Sequence, residues 1–141
     1  CGLYDDIIAM PEGFDTLIGE KGVLLSGGQK QRLSMARALI VHPEILMLDD
    51  SLSAVDAKTE HLILENLKRE RSDKTTMITA HRLSAIVHAD LIIVLQDGRI
   101  VEKGTHEKLM ALGGWYAKTY DRQQLEATLE EGGDEVEHED L

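Results

Sequence analysis

The sequence predicts an α/β fold with a largely parallel sheet and flanking helices. Three observations carry that prediction. A continuous apolar run at residues 45–48 has the length and composition of a strand covered on both faces. It lies between two segments whose apolar residues recur at helical spacing, and a second β-rich run, 75–79, follows the later one. Two adjacent carboxylates, Asp49 and Asp50, stand at the end of the first strand, and sheets of this class bind ligands outside the carboxyl ends of their strands.

Taken in order, Tyr4-Asp5-Asp6-Ile7-Ile8-Ala9-Met10 reads as a short helix ended near Pro11. Its Asp5-Asp6 pair reads as exposed acids near a helix start rather than as a metal pair. Gly13-Phe14-Asp15-Thr16 is a turn, and a Gly-flanked loop follows at residues 16–22. From Gln29 the apolar residues Leu33, Ala36, Leu39 and Ile40 mark a helix, with Lys30, Gln31, Arg32 and Arg37 between them as a solvated basic face. Pro43 ends that helix, because proline lacks the donor and clashes with the preceding turn. After the first strand, Ser53 or Asp56 caps a helix through about Arg71, with Leu62, Ile63, Leu64 and Leu67 on its buried side. Ser72-Asp73 breaks it. The strand at 75–79 leads to His81, a short helix spans 83–87, and another strand spans 91–95. Asp97-Gly98 is a hairpin signal returning through 99–102. Thr105 caps the last helices, 106–112 and 115 to about 129.

The 141 residues, 43% of them hydrophobic, suffice for a single domain with its own core. A net charge of −11 argues against a nucleic-acid surface, which would carry a basic face. The acidity is concentrated: residues 121–141 hold nine acids and one base, so the preceding residues carry about −3. The acidic end, 131–141, is expected to be a disordered tail, since it cannot bury enough apolar area to fold alone. The single Cys1 permits no internal disulfide and fits a reducing compartment. No apolar run approaches the roughly 20 residues that span a bilayer, and no signal peptide is visible. A first residue of Cys rather than Met suggests a piece of a longer protein.

The chemistry gathers between residues 24 and 56. Ser26-Gly27-Gly28-Gln29 runs straight into a helix. Glycines let backbone N–H groups approach phosphate oxygens, and the positive end of a helix dipole favours that charge. An acid at a strand tip can hold Mg²⁺, which prefers oxygen ligands and keeps several waters. The bland alternative is a set of helix caps and surface groups, and the same could be said of a lone His81. His42, His61, His88, His106 and His138 show no ligand spacing and read as solvated.

The order of these motifs resembles the ATP-binding-cassette (ABC) ATPases. Leu25-Ser26-Gly27-Gly28-Gln29 is similar to their signature, Ile45-Leu46-Met47-Leu48-Asp49 to their Walker B strand, and Ser53-Ala54-Val55-Asp56 to their D-loop. His81, between Thr79-Ala80 and Arg82-Leu83-Ser84, stands where their switch histidine would. The resemblance covers residues 16–106 in detail. It implies a partial P-loop NTPase domain: 1–40 from the helical subdomain with the signature, 41–130 from the core and C-terminal helices. It implies ATP and Mg²⁺ as cofactors. Asp49 would hold the metal through water, Asp50 and His81 would be catalytic, and Leu25, Ser26, Gly27, Gly28, Gln29, Ser53 and Asp56 would contact nucleotide. Thr16-Leu17-Ile18-Gly19-Glu20-Lys21-Gly22 looks like the exporter loop that meets the coupling helices of a membrane domain, at the cytoplasmic face of the cell membrane.

One position departs from the family pattern. Hydrolytic sites of the family place Glu where this chain has Asp50. One methylene less withdraws the carboxylate by roughly 1.5 Å, whereas a general base must lie within about 2.6–3.2 Å of its proton. The expectation is competent nucleotide binding with slow hydrolysis. An intact signature with an altered acid resembles one subunit of the bacterial heterodimeric multidrug exporters, whose partner nucleotide-binding domain would receive Ser26, Gly27, Gly28 and Gln29. No G-x-x-x-x-G-K-[ST] loop occurs in these residues, so by themselves they should not bind ATP tightly. Two other readings stay open. One is a soluble cassette ATPase without membrane helices, or a regulatory half-site. The other is a signalling receiver domain, which also sets paired acids at a strand end.

Overall fold

A computed structural model describes residues 1–134, and the chain divides into two compact units, Cys1–His81 and Arg82–Leu141. The first unit holds α1 (Tyr4–Ile8), α2 (Gly27–Leu39), β1 (Ile45–Asp49), α3 (Ala57–Glu70) and β2 (Thr75–Thr79), with a 3₁₀ turn at Gly13–Asp15. β1 and β2 pair in parallel, from Ile45 opposite Thr75 to Asp49 opposite Thr79. A parallel pair needs a crossover, and α3 supplies it. The core joins Met35 of α2, Leu46 and Leu48 of β1, Leu52 and Val55 of the following loop, and Ile63 and Leu67 of α3.

Three expectations change here. β1 is not covered on both faces: Leu46 and Leu48 are buried, while Ile45 is 61% and Met47 70% exposed. Successive strand side chains point to opposite faces, and the helices described here cover only one. In α2 the buried residue is Met35, and Ile40 lies outside the core; in α3, Leu62 is exposed beside buried Ile63 and Leu67. Arg32 is not part of a solvated face. Its guanidinium is largely buried and pairs with Asp6 at 2.8 Å, also donating to the Gly2 carbonyl at 2.8 Å. Asp6 is thereby accounted for as an ion-pair partner that ties α1 to α2.

Asp56 is the N-cap of α3, its carboxylate accepting from Thr59 N–H at 2.9 Å. The backbone and side-chain bonds from Thr59 hold its pKa below the ordinary aspartate value. A carboxyl depressed in the fold stabilises it above the unfolded pKa of about 3.9, and that stabilisation disappears as pH falls through the folded value. Asparagine caps helices as well as aspartate does but carries no charge. Urea denaturation of the intact protein against pH should show wild type more stable than Asp56→Asn above about pH 4, with the difference vanishing in more acid solution. A difference independent of pH would reject the charged cap.

At the opposite end of the strands, Arg71 is buried and donates to Thr76 Oγ1 at 3.1 Å, the Pro43 carbonyl at 2.9 Å and the Thr75 carbonyl at 3.1 Å. These bonds satisfy a charge that would be costly to bury alone, and they fix where both strands begin.

The second unit holds a 3₁₀ turn at Leu83–Ile86, β3 (Ile92–Gln96), β4 (Arg99–Gly104), α4 (His106–Leu112) and α5 (Trp115–Asp134). β3 and β4 are antiparallel, joined by Asp97 and Gly98 with φ of 49° and 73°. Two positive φ angles are what a two-residue hairpin turn requires. The expected largely parallel sheet is therefore replaced by one parallel pair in the first unit and one antiparallel pair in the second.

Thr105 caps α4, and Gly113 ends it in the left-handed region at φ 65°. The Glu102 carboxylate accepts from the N–H groups of Trp115 and Tyr116 at the start of α5. Leu83, Ile92, Val94, Leu109 and Tyr116 form this unit's core. His106, expected to be solvated, is half-buried. Its Nδ1 lies 2.9 Å from the Tyr116 hydroxyl, and its ring meets Tyr120 edge-on at 4.8 Å. α5 runs on through residues 131–134, where the acidic tail was expected to begin. The rest of that tail, 135–141, and the expectation of disorder there lie outside the described residues, as does His138.

Candidate nucleotide site

The carboxyl ends of β1 and β2 bring Asp49, Asp50, Thr79 and His81 together. Thr79 is the hinge of the group. Its hydroxyl donates to Asp49 Oδ1 at 2.7 Å and accepts from the Asp50 N–H at 3.0 Å. The parallel register sets Thr79 directly beside Asp49, so this contact follows from strand pairing. Asp50 leaves the strand in the left-handed region, at φ 50°, which aspartate tolerates better than most residues. That bend turns its carboxylate toward His81, whose Nε2 lies 3.7 Å from Asp50 Oδ1. His81 and Asp50 are both exposed, as groups meeting a soluble ligand must be.

The signature residues form the start of α2. Ser26 is the N-cap, with a reciprocal capping box: Gln29 N–H donates to Ser26 Oγ at 3.2 Å, and Ser26 N–H donates to Gln29 Oε1 at 2.9 Å. Accepting from Gln29 leaves the Ser26 hydroxyl its own hydrogen to donate. No acidic residue lies in the first turn, so the positive end of the helix dipole is uncompensated from within α2. Leu25, just before the cap, is half-buried.

The loop after β1 packs against the same turn. A Cβ on Gly28 would lie 2.8 Å from the Ala54 carbonyl oxygen, and one on Gly27 would lie 3.3 Å from Ala54 Cβ. Gly28 is thus required by close approach of backbone to backbone. Gln31 closes the contact. Its Nε2 donates to the Asp50 carbonyl at 3.2 Å and to Ser53 Oγ at 2.9 Å, and its Oε1 accepts from Ala54 N–H at 2.9 Å. Ser53 Oγ in turn donates to the Asp50 carbonyl at 3.2 Å. Asp56 stands apart from this group, its carboxylate turned to α3.

Asp49, Asp50, Ser53 and His81 therefore lie together at the carboxyl ends of the strands, with the signature turn braced beside them. Gln31 and Thr79 were missed as site residues. Gln31 sits among charged neighbours on a helix, although its spacing of three from Gly28 puts both on one face. Thr79 is an ordinary β-branched strand residue until the register is known.

The donor set fits Mg²⁺ of the kind that arrives with phosphate. No group of three or more His, Cys, Asp or Glu side chains capable of holding a metal occurs among the described residues. Mg²⁺ seldom uses an all-protein cage and is usually held by one or two carboxylates together with substrate phosphates and water. A carboxylate has about four lone-pair sites, so Asp49 retains acceptor capacity beyond its bond to Thr79.

The exporter-like loop at 16–22 is tightly closed. Val23 N–H donates to the Leu17 carbonyl at 2.9 Å, and Gly22 lies too close to that carbonyl for any Cβ. Closure leaves Leu17 and Ile18 exposed on its surface.

Residues 7–53 match the ABC transporter family. The chain is 61% identical over 128 residues to a probable multidrug resistance ABC transporter ATP-binding/permease protein, YheI, of Bacillus subtilis, covering 91% of this chain and 22% of that protein. It is 55% identical over 129 residues to the multidrug resistance-like ATP-binding protein MdlA of Escherichia coli, covering 92% of this chain and 22% of the relative. Among solved structures, a bacterial Atm1-family ABC exporter with ATP bound superposes with a TM-score of 0.78 at 44% identity, covering 86% of this chain and 21% of the other. The chain thus spans about a fifth of the length of these relatives.

Proposed function

The chain carries part of the nucleotide-binding domain of the ABC transporter family, and from that premise we propose that it serves ATP hydrolysis coupled to efflux within a membrane exporter. The observation that carries the reading is the joining of the Asp49–Thr79–Asp50–His81 group to the signature turn through Gln31 and Gly28. Two motifs that each have a use toward phosphate are held as one body.

Asp49 would hold Mg²⁺, which when bound supplies charge stabilisation to the phosphoryl group. Asp50 would orient and deprotonate the attacking water, with His81 beside it to face the terminal phosphate. Ser26, Gly27, Gly28 and Gln29 would offer the hydroxyl and backbone N–H groups of the α2 N-terminus to a nucleotide held by a second nucleotide-binding domain. Ser53 would line the loop between the two sites, and Asp56, capping α3, would hold the end of that loop. The short Asp50 side chain supports the finer proposal that this is the slow-site subunit of a heterodimer.

Residues 1–40 would belong to the helical subdomain and 41–130 to the catalytic core. Exposed Leu17 and Ile18 on the closed loop at 16–22 would meet the membrane domain on the cytoplasmic side. No described helix is long and apolar enough to cross a membrane, so the proposal assigns spanning to other parts of the intact protein. The acidic balance supports no nucleic-acid role.

The test compares the intact protein with these 141 residues alone. Mg²⁺-ATP hydrolysis by the intact protein, lost when these residues stand alone without a Walker A loop, is expected. Hydrolysis by the isolated chain would overturn the assignment of roles, and an intact protein that neither binds nor hydrolyses ATP would overturn the function.

A further inference from the structure

We infer that Gln31 is a positioning residue linking the signature turn to the acid Asp50, so that the two parts of the site move as one. The inference rests on the ATPase reading above and adds to it a residue outside the signature, the Walker B strand and the D-loop. Gln31 lies one turn into α2, on the face that carries Gly28. From there one amide makes three hydrogen bonds across 19 to 23 residues of sequence, to the Asp50 carbonyl, Ser53 Oγ and Ala54 N–H. Both ends of the amide are engaged, which fixes its orientation.

The bonds fall where the loop most needs them. Asp50 has a positive φ, a conformation that a non-glycine residue keeps only when its surroundings hold it. Thr79 Oγ1 holds its N–H from the β2 side, and Gln31 holds its carbonyl from the α2 side. Rotation of either peptide would swing the carboxylate away from His81. The same amide fixes Ala54, whose carbonyl already meets Gly28 too closely for any side chain. A displacement of the signature turn by a nucleotide is therefore transmitted to Asp50 through this side-chain bridge and the Gly28–Ala54 contact beside it. All these groups are solvent-facing, so the bridge adds little to stability; its effect lies in geometry.

The test uses the intact protein with Mg²⁺-ATP as the probe. Gln31→Met keeps the length of the side chain and removes all three bonds. We expect kcat to fall about tenfold, with KM for ATP within about twofold of wild type, because alignment is lost while nucleotide contacts remain. Gln31→Glu keeps an acceptor for Ala54 but cannot donate to Asp50 or Ser53, and should fall by a similar factor. An unchanged kcat in Gln31→Met, or a loss carried by KM rather than kcat, would overturn the inference. If Gln31→Met does not fold, Gln31→Glu decides by the same split. Wild type and Gln31→Met turning over equally removes only the Gln31 bridge, whereas a wild type without hydrolysis removes the ATPase reading with it.

Discussion

Asp49→Asn is expected to lower Mg²⁺-dependent ATP hydrolysis by the intact protein by about 100-fold or more while leaving its melting temperature almost unchanged. The two halves of that expectation come from different features of one carboxylate. Asp49 Oδ1 accepts from the Thr79 hydroxyl, and an asparagine oxygen can accept the same bond. The chain from Asp49 through Thr79 to the Asp50 N–H should therefore survive, and with it the bend at Asp50. What is lost is the negative charge at the strand-tip acid proposed to hold Mg²⁺. Initial rates across a Mg²⁺ titration, with thermal unfolding of the same preparations, separate the two. A loss below about tenfold that extra Mg²⁺ does not repair would move the metal-holding role away from Asp49.

Asp50→Glu is expected to act in the opposite direction, raising turnover of the intact assembly by about 10- to 100-fold if the slow site limits it. The backbone of residue 50 is held on both sides, by Thr79 at its N–H and by Gln31 and Ser53 at its carbonyl. The added methylene therefore cannot be absorbed by the loop and must carry the carboxylate outward, past its present 3.7 Å separation from His81. A cost accompanies the gain. Glutamate tolerates the left-handed region less well than aspartate, so the variant should be less stable by about 1 kcal/mol. ATP hydrolysis and denaturant unfolding measured together check both signs. Turnover that stays at the wild-type rate would mean that the length of this side chain does not limit hydrolysis.

Most of what sequence alone determined here is local. The cap of α3 at Asp56 (one of the two candidates, with Ser53), the cap of α4 at Thr105 and the Asp97-Gly98 hairpin are each set by contacts spanning four residues or fewer, whereas α2 begins at Gly27, inside what the sequence marks as a turn. Such contacts are legible because their geometry repeats wherever the same residues occur. The placement of the two acids was legible for the same reason: an apolar run ending in two acids sets them at a carboxyl end whatever surrounds it. Where the expectation reached further, it failed in ways that share a cause. Periodicity gave Met47 the same standing as Leu48, but which face of a strand is covered depends on neighbours that may come from anywhere in the chain.

Arg32 and His106 carry no local mark of burial, since a charged or titratable side chain is solvated by default. Their partners, Asp6 and the tyrosines of α5, lie 10 to 26 residues away. Gln31 is the clearest case. Its helical position follows from sequence, but its three partners lie 19 to 23 residues further on, and only the pairing of β1 with β2 and the packing of Gly28 on Ala54 bring them within reach. Sequence determined the candidate groups for phosphate and metal, because short-range geometry places them. Tertiary structure alone decided which residues hold those groups in register, because a hydrogen bond between distant segments exists only after the chain has closed on itself.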